Sequence, residues 1–215
     1  METLRPPIVK EVSPSGTDLD SKTVQSEVFF ENAIKKERLG KGAQSIVYLM
    51  ESESDGASKE FVRKIFTNNP VSQIKHEYDA LERMTDVGCT PTPFRMDQKT
   101  LDMEFMKGIP LGRLKPGKRD QIPTETLAAF KDAVITALSR GVINTDFNVN
   151  NVILNQENNT LGWVDFGGVR LVDPENLTRK DVKAVLGAIR KTFPRFPGLA
   201  DSYEELEIIL QRKLR

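Results

Sequence analysis

The most informative part of the sequence is the stretch GVINTDFNVNNVILNQENNTLGWVDFGGVRL, residues 141–171. It contains two Asp-Phe pairs, at 146–147 and 165–166, each within an apolar segment, and a polar turn separates the two segments. Asn151 follows the first acid by five residues. Carboxylates are rare in apolar segments unless they are exposed or functional, because burying an unpaired charge is costly. The two acids are therefore candidates for chemistry.

The order of these residues suggests a role for each polar side chain. The stretch gives a loop acid, a strand, a turn, a second strand and an Asp-Phe-Gly bend. This spacing lets Asp146 accept a proton from a hydroxyl group or orient that group. Asn151 and Asp165 offer the hard oxygen ligands that Mg²⁺ prefers, and the metal would bridge nucleotide phosphates. The alternative is that both acids are ordinary turn residues, although the whole combination is specific.

A glycine-containing turn lies nearer the start of the chain, in LGKGAQSIVY, residues 39–48. Gly40, Gly42 and Val47 fit the pattern G-x-G-x-x-G-x-V, with Ser45 in place of the third glycine. Glycines in such a loop let backbone N–H groups approach phosphate oxygens closely. A hairpin with a flexible turn explains the same residues, so this motif alone is weak.

The segment FVRKIF, residues 61–66, places Lys64 between apolar residues of a predicted strand. A functional lysine there would point under the glycine loop, bind nucleotide phosphates and need a carboxylate to hold it. Glu77, on the following predicted helix, is the first candidate for that carboxylate, and Glu82 is a second candidate on another face. The alternative is that these charges are solvated, as most strand lysines and helix acids are.

The composition argues against several classes of protein. The sequence has 31 Lys plus Arg and 31 Asp plus Glu, so it lacks the basic excess of a nucleic-acid binder. No apolar run approaches the roughly 20 residues that span a bilayer. One cysteine and one histidine exclude an intramolecular disulfide and a Cys/His zinc site. We expect a cytoplasmic protein with no membrane and no nucleic-acid partner.

Periodicity divides the chain into three regions. Residues 1–25 are rich in Pro, Ser, Thr and acids, and we expect a mobile tail, either a plain disordered terminus or a secretion segment. Residues from about 36 to 106 predict a small antiparallel sheet with one helix. Residues from about 107 to 215 are mainly helical apart from the two short strands of the opening stretch. The predicted helices of this last region cover about 123–141, 177–193 and 202–215. The predicted fold class is α+β, with one domain at 26–215.

These motifs stand in a fixed order: glycine loop, strand lysine, helix glutamate, a MEFM linker, a loop Asp with its Asn, and Asp-Phe-Gly. In that order the sequence resembles the protein-kinase-like superfamily over residues 36–215. The resemblance implies a two-lobed fold, with an N-lobe at about 36–106 and a truncated, mainly helical C-lobe at about 107–215, and with ATP and Mg²⁺ in the cleft. The resemblance implies that Gly40, Gly42 and Val47 lie over the phosphates and that Lys64, held by Glu77, binds them. Glu104 and Met106 would lie beside adenine. Asp146 would be the catalytic acid/base, with Asn151 and Asp165 as metal ligands.

Three positions depart from the kinase pattern. The usual His and Arg before the catalytic Asp are replaced by Asn144 and Thr145, so we do not expect control by activation-loop phosphorylation. Asn148 replaces the lysine that neutralises γ-phosphate charge in Ser/Thr kinases. Losing a cation beside a developing anion should slow the transfer unless another group substitutes, and Lys180 and Arg170 are candidates.

The chain is also short after the Asp-Phe-Gly motif. Only 48 residues follow Gly167, and no A-P-E motif is among them. Asp181 in this region is either a brace for the catalytic loop or an ordinary first-turn helix acid. With its DFNVNN segment and short C-terminal region, the chain resembles the small type III-secreted effector kinases of the OspG/NleH kind.

We therefore expect an ATP- and Mg²⁺-dependent Ser/Thr protein kinase that acts as a monomer. The resemblance implies a bacterial virulence effector that is secreted into a host cytosol and phosphorylates host signalling proteins, with a ubiquitin-loaded host enzyme as activator. Two alternatives remain. Asn144, Asn148 and Ser45 fit a pseudokinase that serves as a binding module. A small-molecule phosphotransferase of the aminoglycoside type is the other alternative, and the short C-terminal region counts against it.

Overall fold

The computed structural model describes residues 30–54, 56–68, 71–119, 121–192 and Ile208. The predicted tail at 1–25 and, apart from Ile208, the predicted last helix at 202–215 lie outside the described residues. Among the described residues, no helix has both the length and the hydropathy needed to cross a membrane.

A five-stranded antiparallel sheet forms the N-terminal part of the fold, with strand order β1-β2-β3-β5-β4. Its strands are β1 (Ile34–Lys41), β2 (Ser45–Ser54), β3 (Ala57–Phe66), β4 (Pro93–Met96) and β5 (Thr100–Glu104). The tight turn between β4 and β5 is stabilised by Asp97, whose carboxylate accepts hydrogen bonds from the N–H groups of Lys99 and Thr100. This sheet confirms the antiparallel sheet that the sequence predicts.

Helix α1 (Val71–Glu82) packs against strands β4 and β5 of this sheet. Its buried face contains Ile74 and Leu81, and Met84 continues the same row just after the helix. Glu77 lies on this face too, because residues three and four apart on a helix point the same way. The carboxylate of Glu77 is therefore buried on the same face of α1 as the apolar side chains.

The C-terminal part combines helices with short strand pairs. Its elements are β6 (Ile109–Pro110), α2 (Pro116–Arg119), α3 (Thr124–Ser139), β7 (Val142–Asn144), β8 (Val152–Asn155), β9 (Thr160–Trp163), β10 (Val169–Leu171) and α4 (Arg179–Thr192), with 3-10 turns at Leu111–Arg113 and Pro174–Asn176. The strands form two small sheets, β6-β8-β9 and β10-β7. The predicted helices at 123–141 and 177–193 correspond to α3 and α4. Strands β6, β7 and β10 were not predicted, since two or three residues show no period.

An aromatic cluster explains why the sequence has two Asp-Phe pairs. Phe147 and Phe166 are buried against Trp163, with ring centroids 4.6 and 4.8 Å from the indole ring. Asp146 and Asp165, the residues directly before these phenylalanines, are both exposed. Each phenylalanine thus fixes the backbone of its segment in the core, and the neighbouring aspartate is held at the surface of the cleft.

The outer face of the five-stranded sheet contains a buried carboxylate with two arginine partners. The side chain of Asp102 is 0% exposed, and it accepts two hydrogen bonds from Arg63, at 2.7 and 2.8 Å, and one from Arg95 at 3.0 Å. Arg63 and Asp102 are directly opposite each other on β3 and β5. Because Arg63 alternates with Lys64 along β3, this cluster lies on the opposite face of the sheet from Lys64.

We expect Asp102→Ala to lower the free energy of unfolding by about 3 kcal/mol, since it removes a buried carboxylate and leaves two partly buried arginines without their shared partner. The measurement is urea denaturation followed by circular dichroism. Asp79→Ala is the matched control, because Asp79 pairs only at the surface with Lys75, one helical turn away. It should cost about 0.5 kcal/mol or less. Equal losses in the two variants would contradict the structural importance of the Asp102 cluster.

Candidate active site

Lys64 lies at the centre of a group of opposite charges. Its Nζ atom donates hydrogen bonds to both carboxylate oxygens of Glu77 at 2.8 Å and to Oδ1 of Asp165 at 2.9 Å. The side chains of Lys64 and Glu77 are 9% and 1% exposed, whereas that of Asp165 is 49% exposed. We call these three residues the ion triad. The triad is open to solvent on the Asp165 side alone, which is where a charged ligand can reach it.

The contact between Lys64 and Glu77 confirms the pairing that the sequence predicts. Strand alternation turns Lys64 toward α1, and the helical period turns Glu77 toward the sheet. Glu82, the second candidate, is exposed. The backbone N–H of Phe166 also donates to the Glu77 carboxylate, so the Asp-Phe-Gly segment and the helix meet at this side chain.

Asp165 reaches the triad through an unusual backbone conformation. Its φ angle is 67°, in the left-handed region that aspartate tolerates better than most side chains. Gly167 leaves the necessary room, because a Cβ atom there would lie 3.2 Å from Oε2 of Glu77, 3.4 Å from Oδ1 of Asp165 and 3.5 Å from Nζ of Lys64. In the Asp-Phe-Gly sequence, Asp165 therefore supplies a carboxylate, Phe166 packs in the core, and Gly167 leaves room for the side chains of the triad.

The triad perturbs the pKa of each of its members, and burial raises the pKa of Glu77 above its ordinary value although Lys64 opposes this effect. Burial alone would lower the pKa of Lys64, but the carboxylates of Glu77 and Asp165 outweigh this effect and raise it above its ordinary value. Partial burial would raise the pKa of Asp165, yet the charge and hydrogen bond of Lys64 lower it below its ordinary value. At neutral pH, Lys64 is therefore a cation and Asp165 an anion.

Asp146 and Asn151 lie beside Asp165. A Cβ atom on Gly168 would be 3.6 Å from Cβ of Asp146, so Asp146 adjoins the end of the Asp-Phe-Gly-Gly segment. The N–H of Val164 donates to the carbonyl oxygen of Asn151 at 2.8 Å, which continues the β8–β9 pairing up to the residue before Asp165. The structure thus brings together the three polar residues that the opening stretch of sequence singled out.

The loop around Asp146 is shaped by asparagines. Oδ1 of Asn144 accepts a hydrogen bond from the N–H of Asp146 at 2.8 Å, and Oδ1 of Asn148 accepts one from the N–H of Asn150 at 2.9 Å. Asn144 is 1% exposed. Two short turns, each closed by a side-chain oxygen, therefore set the path of the loop.

Strand register places the glycine loop next to Lys64. Gly40 is opposite Val47 in the β1–β2 pair, and Val47 is opposite Lys64 in the β2–β3 pair. The turn between β1 and β2 is closed by the N–H of Gly42, which donates to the carbonyl oxygen of Ser45 at 2.8 Å. A Cβ atom on Gly40 would meet no atom within 4 Å. The space above this loop is thus available to a ligand.

Glu104 and Met106 lie at the end of β5 and in the segment that leads to the C-terminal part. Glu104 is exposed, and its carboxylate accepts a hydrogen bond from the N–H of Thr92 at 3.1 Å. Met106 is half-buried against Gly162, where a Cβ atom would be 2.6 Å from its Cε atom. A position beside adenine for these two residues stays a prediction.

The donor set suits a magnesium ion held together with a nucleotide. Mg²⁺ takes one or two protein oxygens, substrate phosphates and water rather than a full protein cage. Asp165 offers a half-exposed carboxylate and Asn151 an amide oxygen on neighbouring segments. No group of three or more His, Cys, Asp or Glu side chains with metal-binding geometry occurs within the part of the chain that is described. The residues therefore fit a shared metal–phosphate site.

Asp181 and Arg170 bind each other. Asp181 accepts hydrogen bonds from the N–H and hydroxyl of Thr178, at 3.0 and 2.6 Å, and it caps the start of α4. It also forms an ion pair with Arg170. These contacts favour the role of an ordinary first-turn helix acid for Asp181 over the role of a brace for the catalytic loop. Arg170 is one of the two cations that are candidates to replace the missing lysine, and it is paired with Asp181 rather than with a residue of the triad.

His76 is a residue of α1 that the sequence analysis did not single out. It is half-buried, and its Nε2 atom is 2.7 Å from the carbonyl oxygen of Val169. Its partner lies on β10, a strand that the sequence did not predict. No local pattern could have revealed this contact.

Comparisons with known proteins agree with this geometry. Among solved structures 1641 chains match, so the fold is widely shared and does not by itself specify a function. One of them is the kinase PK-1 of the Cydia pomonella granulovirus, with a TM-score of 0.55 and 17% identity over 71% of this chain and 58% of the viral kinase. The chain thus corresponds to little more than half of that kinase, and at this identity the likeness concerns the fold alone. A comparison with curated proteins gave no match.

A family model gives a more specific result. The model of the RIO domain matches residues 48–199, which is most of the chain and includes the ion triad, Asp146 and Asn151. The protein-kinase-like resemblance is confirmed at this level, whereas the narrower likeness to secreted effector kinases stays a prediction. The chain belongs to the RIO domain family, a family of atypical protein kinases.

Proposed function

We propose that this protein transfers the γ-phosphoryl group of ATP to Ser or Thr hydroxyl groups of proteins, in the presence of Mg²⁺. The observation that carries the proposal is the ion triad, in which Lys64 is buried between Glu77 and Asp165 and is charged at neutral pH. A buried cation with one open side is suited to bind phosphate oxygens. Its position beside Asp146 adds a group that can act on a hydroxyl.

Each part of the site has a task in this reaction. Glu77 fixes the direction of the Lys64 side chain, and Lys64 can turn the N–H that now binds Asp165 toward a phosphate oxygen while Glu77 still holds it. The glycine turn at 40–42 would lie over the phosphates, where Gly40 and Gly42 let the backbone come close because they carry no side chain. Most of the catalysis would therefore come from positioning and charge.

Asp146 would orient the attacking hydroxyl and take its proton. It is exposed, and its backbone is fixed by Asn144, so it can meet an incoming side chain without moving. Asp165 and Asn151 would hold Mg²⁺, which when bound neutralises phosphate charge. Asp165 would then exchange part of its contact with Lys64 for the metal, which its half-exposed carboxylate permits.

The absence of a lysine at position 148 suggests a slow reaction. Arg170 forms an ion pair with Asp181, and Lys180 is exposed on α4. Neither residue is therefore an evident substitute for the missing lysine. The pseudokinase alternative rests on this feature together with Asn144 and Ser45. A pseudokinase would bind the nucleotide without transferring its phosphoryl group, so a transfer assay distinguishes it from an active kinase.

The narrower biological role is a further part of the proposal. Action as a bacterial effector on host signalling proteins, inside a host cytosol and with a ubiquitin-loaded host enzyme as activator, is supported by the likeness of the DFNVNN segment to effector kinases. Incubation with Mg²⁺ and γ-labelled ATP, with and without a eukaryotic lysate, tests it. Labelling of discrete lysate proteins supports the role. Turnover of a small alcohol or amino sugar with no labelled protein would support the small-molecule alternative instead.

Asp165→Ala should lower phosphoryl transfer by about a thousandfold, because it removes a metal ligand and one partner of Lys64. The loss of stability should be small, since the side chain is half-exposed. Initial rates with γ-labelled ATP and melting temperatures provide the two measurements. Asp79→Ala, at an exposed pair on α1, is the control and should keep full activity. Undiminished transfer by Asp165→Ala would contradict the proposed function.

Lys64→Met should weaken the binding of Mg·ATP by about ten- to a hundredfold, because a charge-assisted hydrogen bond to phosphate is lost. Isothermal titration calorimetry measures this effect without any need for turnover. Lys75→Met is the matched control, since Lys75 lies on the exposed side of α1 and pairs only with Asp79. If both variants bind the nucleotide as the wild type does, Lys64 is not a phosphate ligand.

Asn148→Lys should raise kcat by about tenfold, because it restores a cation near the transferred phosphoryl group. Asn148→Met is the control, as it removes the same hydrogen bond to the N–H of Asn150 without adding a charge. The comparison of kcat at saturating ATP separates the effect of charge from that of loop geometry. A gain in both variants, or in neither, would be inconsistent with the proposed role of this position.

A further inference from the structure

His76 connects helix α1 to the strand that follows the Asp-Phe-Gly segment. Its Nε2 atom lies 2.7 Å from the carbonyl oxygen of Val169, the first residue of β10. A carbonyl oxygen can only accept, so the proton of this hydrogen bond is on Nε2. His76 directly precedes Glu77, whose carboxylate interacts with the backbone of Phe166, three residues before Val169.

The same strand is bound a second time, at its other end. Arg83, which continues the helical turn just after α1, donates from Nη1 to the carbonyl oxygen of Val172 at 2.8 Å. Seven residues of helix advance by about 10 Å, and three residues of strand by about the same distance. The spacing of His76 and Arg83 thus matches the spacing of the two carbonyl groups. Hydrogen bonds from His76 and Arg83 thus hold the first residue of β10 and the residue just after its end.

Strand β10 leads in turn to the catalytic loop. Val169 is paired with Asn144 of β7. The side chain of Asn144, which is buried, accepts the hydrogen bond from the N–H of Asp146 at 2.8 Å. An unbroken series of short contacts therefore runs from the helix that carries Glu77, through His76 and β10, to the backbone of Asp146.

We propose that His76 is a positioning residue, which holds the Glu77 helix, strand β10 and the Asp146 loop in one arrangement. The expected effect of His76 on the rate rests on the proposed function. Its expected effect on the contact between Lys64 and Glu77 does not depend on turnover. Without the Nε2 hydrogen bond, α1 can move away from β10, and the contact between Lys64 and Glu77 opens more often. The consequence is a lower kcat with a smaller rise in KM for ATP, since Lys64 is still present but is held less firmly.

The test uses two substitutions at this position. His76→Phe keeps a ring of similar size and removes the donor. His76→Gln keeps an N–H donor at about the distance of Nε2 from the backbone. Asp102→Ala is the control for a general loss of stability, because Asp102 is buried on the opposite sheet face from Lys64.

The first readout is the acetylation rate of Lys64, measured by mass spectrometry without nucleotide at mildly alkaline pH, with the exposed Lys75 as internal reference. The second is kcat and KM in the transfer assay. We expect His76→Phe to speed Lys64 acetylation several-fold and to lower kcat by about tenfold, because a small displacement of a catalytic group is costly. His76→Gln should restore both values toward those of the wild type.

Three results would overturn the proposal. The first is an acetylation rate of Lys64 in His76→Phe equal to that of the wild type, and the second is a rate equal to that of Asp102→Ala. The third is a His76→Gln variant that behaves like His76→Phe. Absence of transfer by the wild type would refute the proposed function alone. The acetylation rates of the four proteins would then still decide the role of His76.

Discussion

The buried charge of Lys64 is the constraint on which the rest of the site depends. A lysine almost closed to water needs a partner, because an unpaired buried charge would be neutralised or would destabilise the fold. Glu77 satisfies this need only while α1 stays against the sheet, and Asp165 adds to it only while the Asp-Phe-Gly segment stays in place. The ion triad therefore couples the sheet, the helix and the C-terminal part through one ammonium group.

The aromatic cluster solves a second physical problem, that of keeping carboxylates exposed next to the core. Phe147 and Phe166 pack against Trp163, and the aspartates before them are left at the surface of the cleft. The same Trp163 donates its backbone N–H to the carbonyl oxygen of Cys89, at 2.6 Å, in the loop that follows α1. One tryptophan thus anchors both catalytic segments and the end of the helix that carries Glu77. Packing, rather than polar contacts, sets the distance between Asp146 and Asp165.

The sequence predicted those parts of the site that rest on a local period. Ile74 and Leu81 define the buried face of α1, and this face includes Glu77 and excludes Glu82, so the partner of Lys64 could be chosen before the structure was known. The β4–β5 turn and helices α3 and α4 follow from similar local signals. For Asp181 the sequence left two roles open, and its contacts with Thr178 and Arg170 favour the capping role.

The missed features depend on contacts between distant segments. Strands β7 and β10 are three residues long and pair across about 25 intervening residues, which no local pattern can encode. The contact of His76 could not be predicted, because its acceptor is a backbone carbonyl on one of these strands. Asn144 looked like a loss of function, yet in the folded chain its side chain supports the backbone of Asp146. A replaced motif residue can therefore keep a positioning role with different chemistry.

The most direct test of the central claim is a crystal structure of the protein with Mg²⁺ and a non-hydrolysable ATP analogue. The account predicts phosphate oxygens within hydrogen-bond distance of Nζ of Lys64, beneath the glycine turn at 40–42, while Glu77 keeps its contact with the same nitrogen. It also predicts a metal ion on Asp165 and Asn151, on the side that faces Asp146. A nucleotide bound elsewhere, or phosphates that leave Lys64 in contact with carboxylates alone, would contradict it.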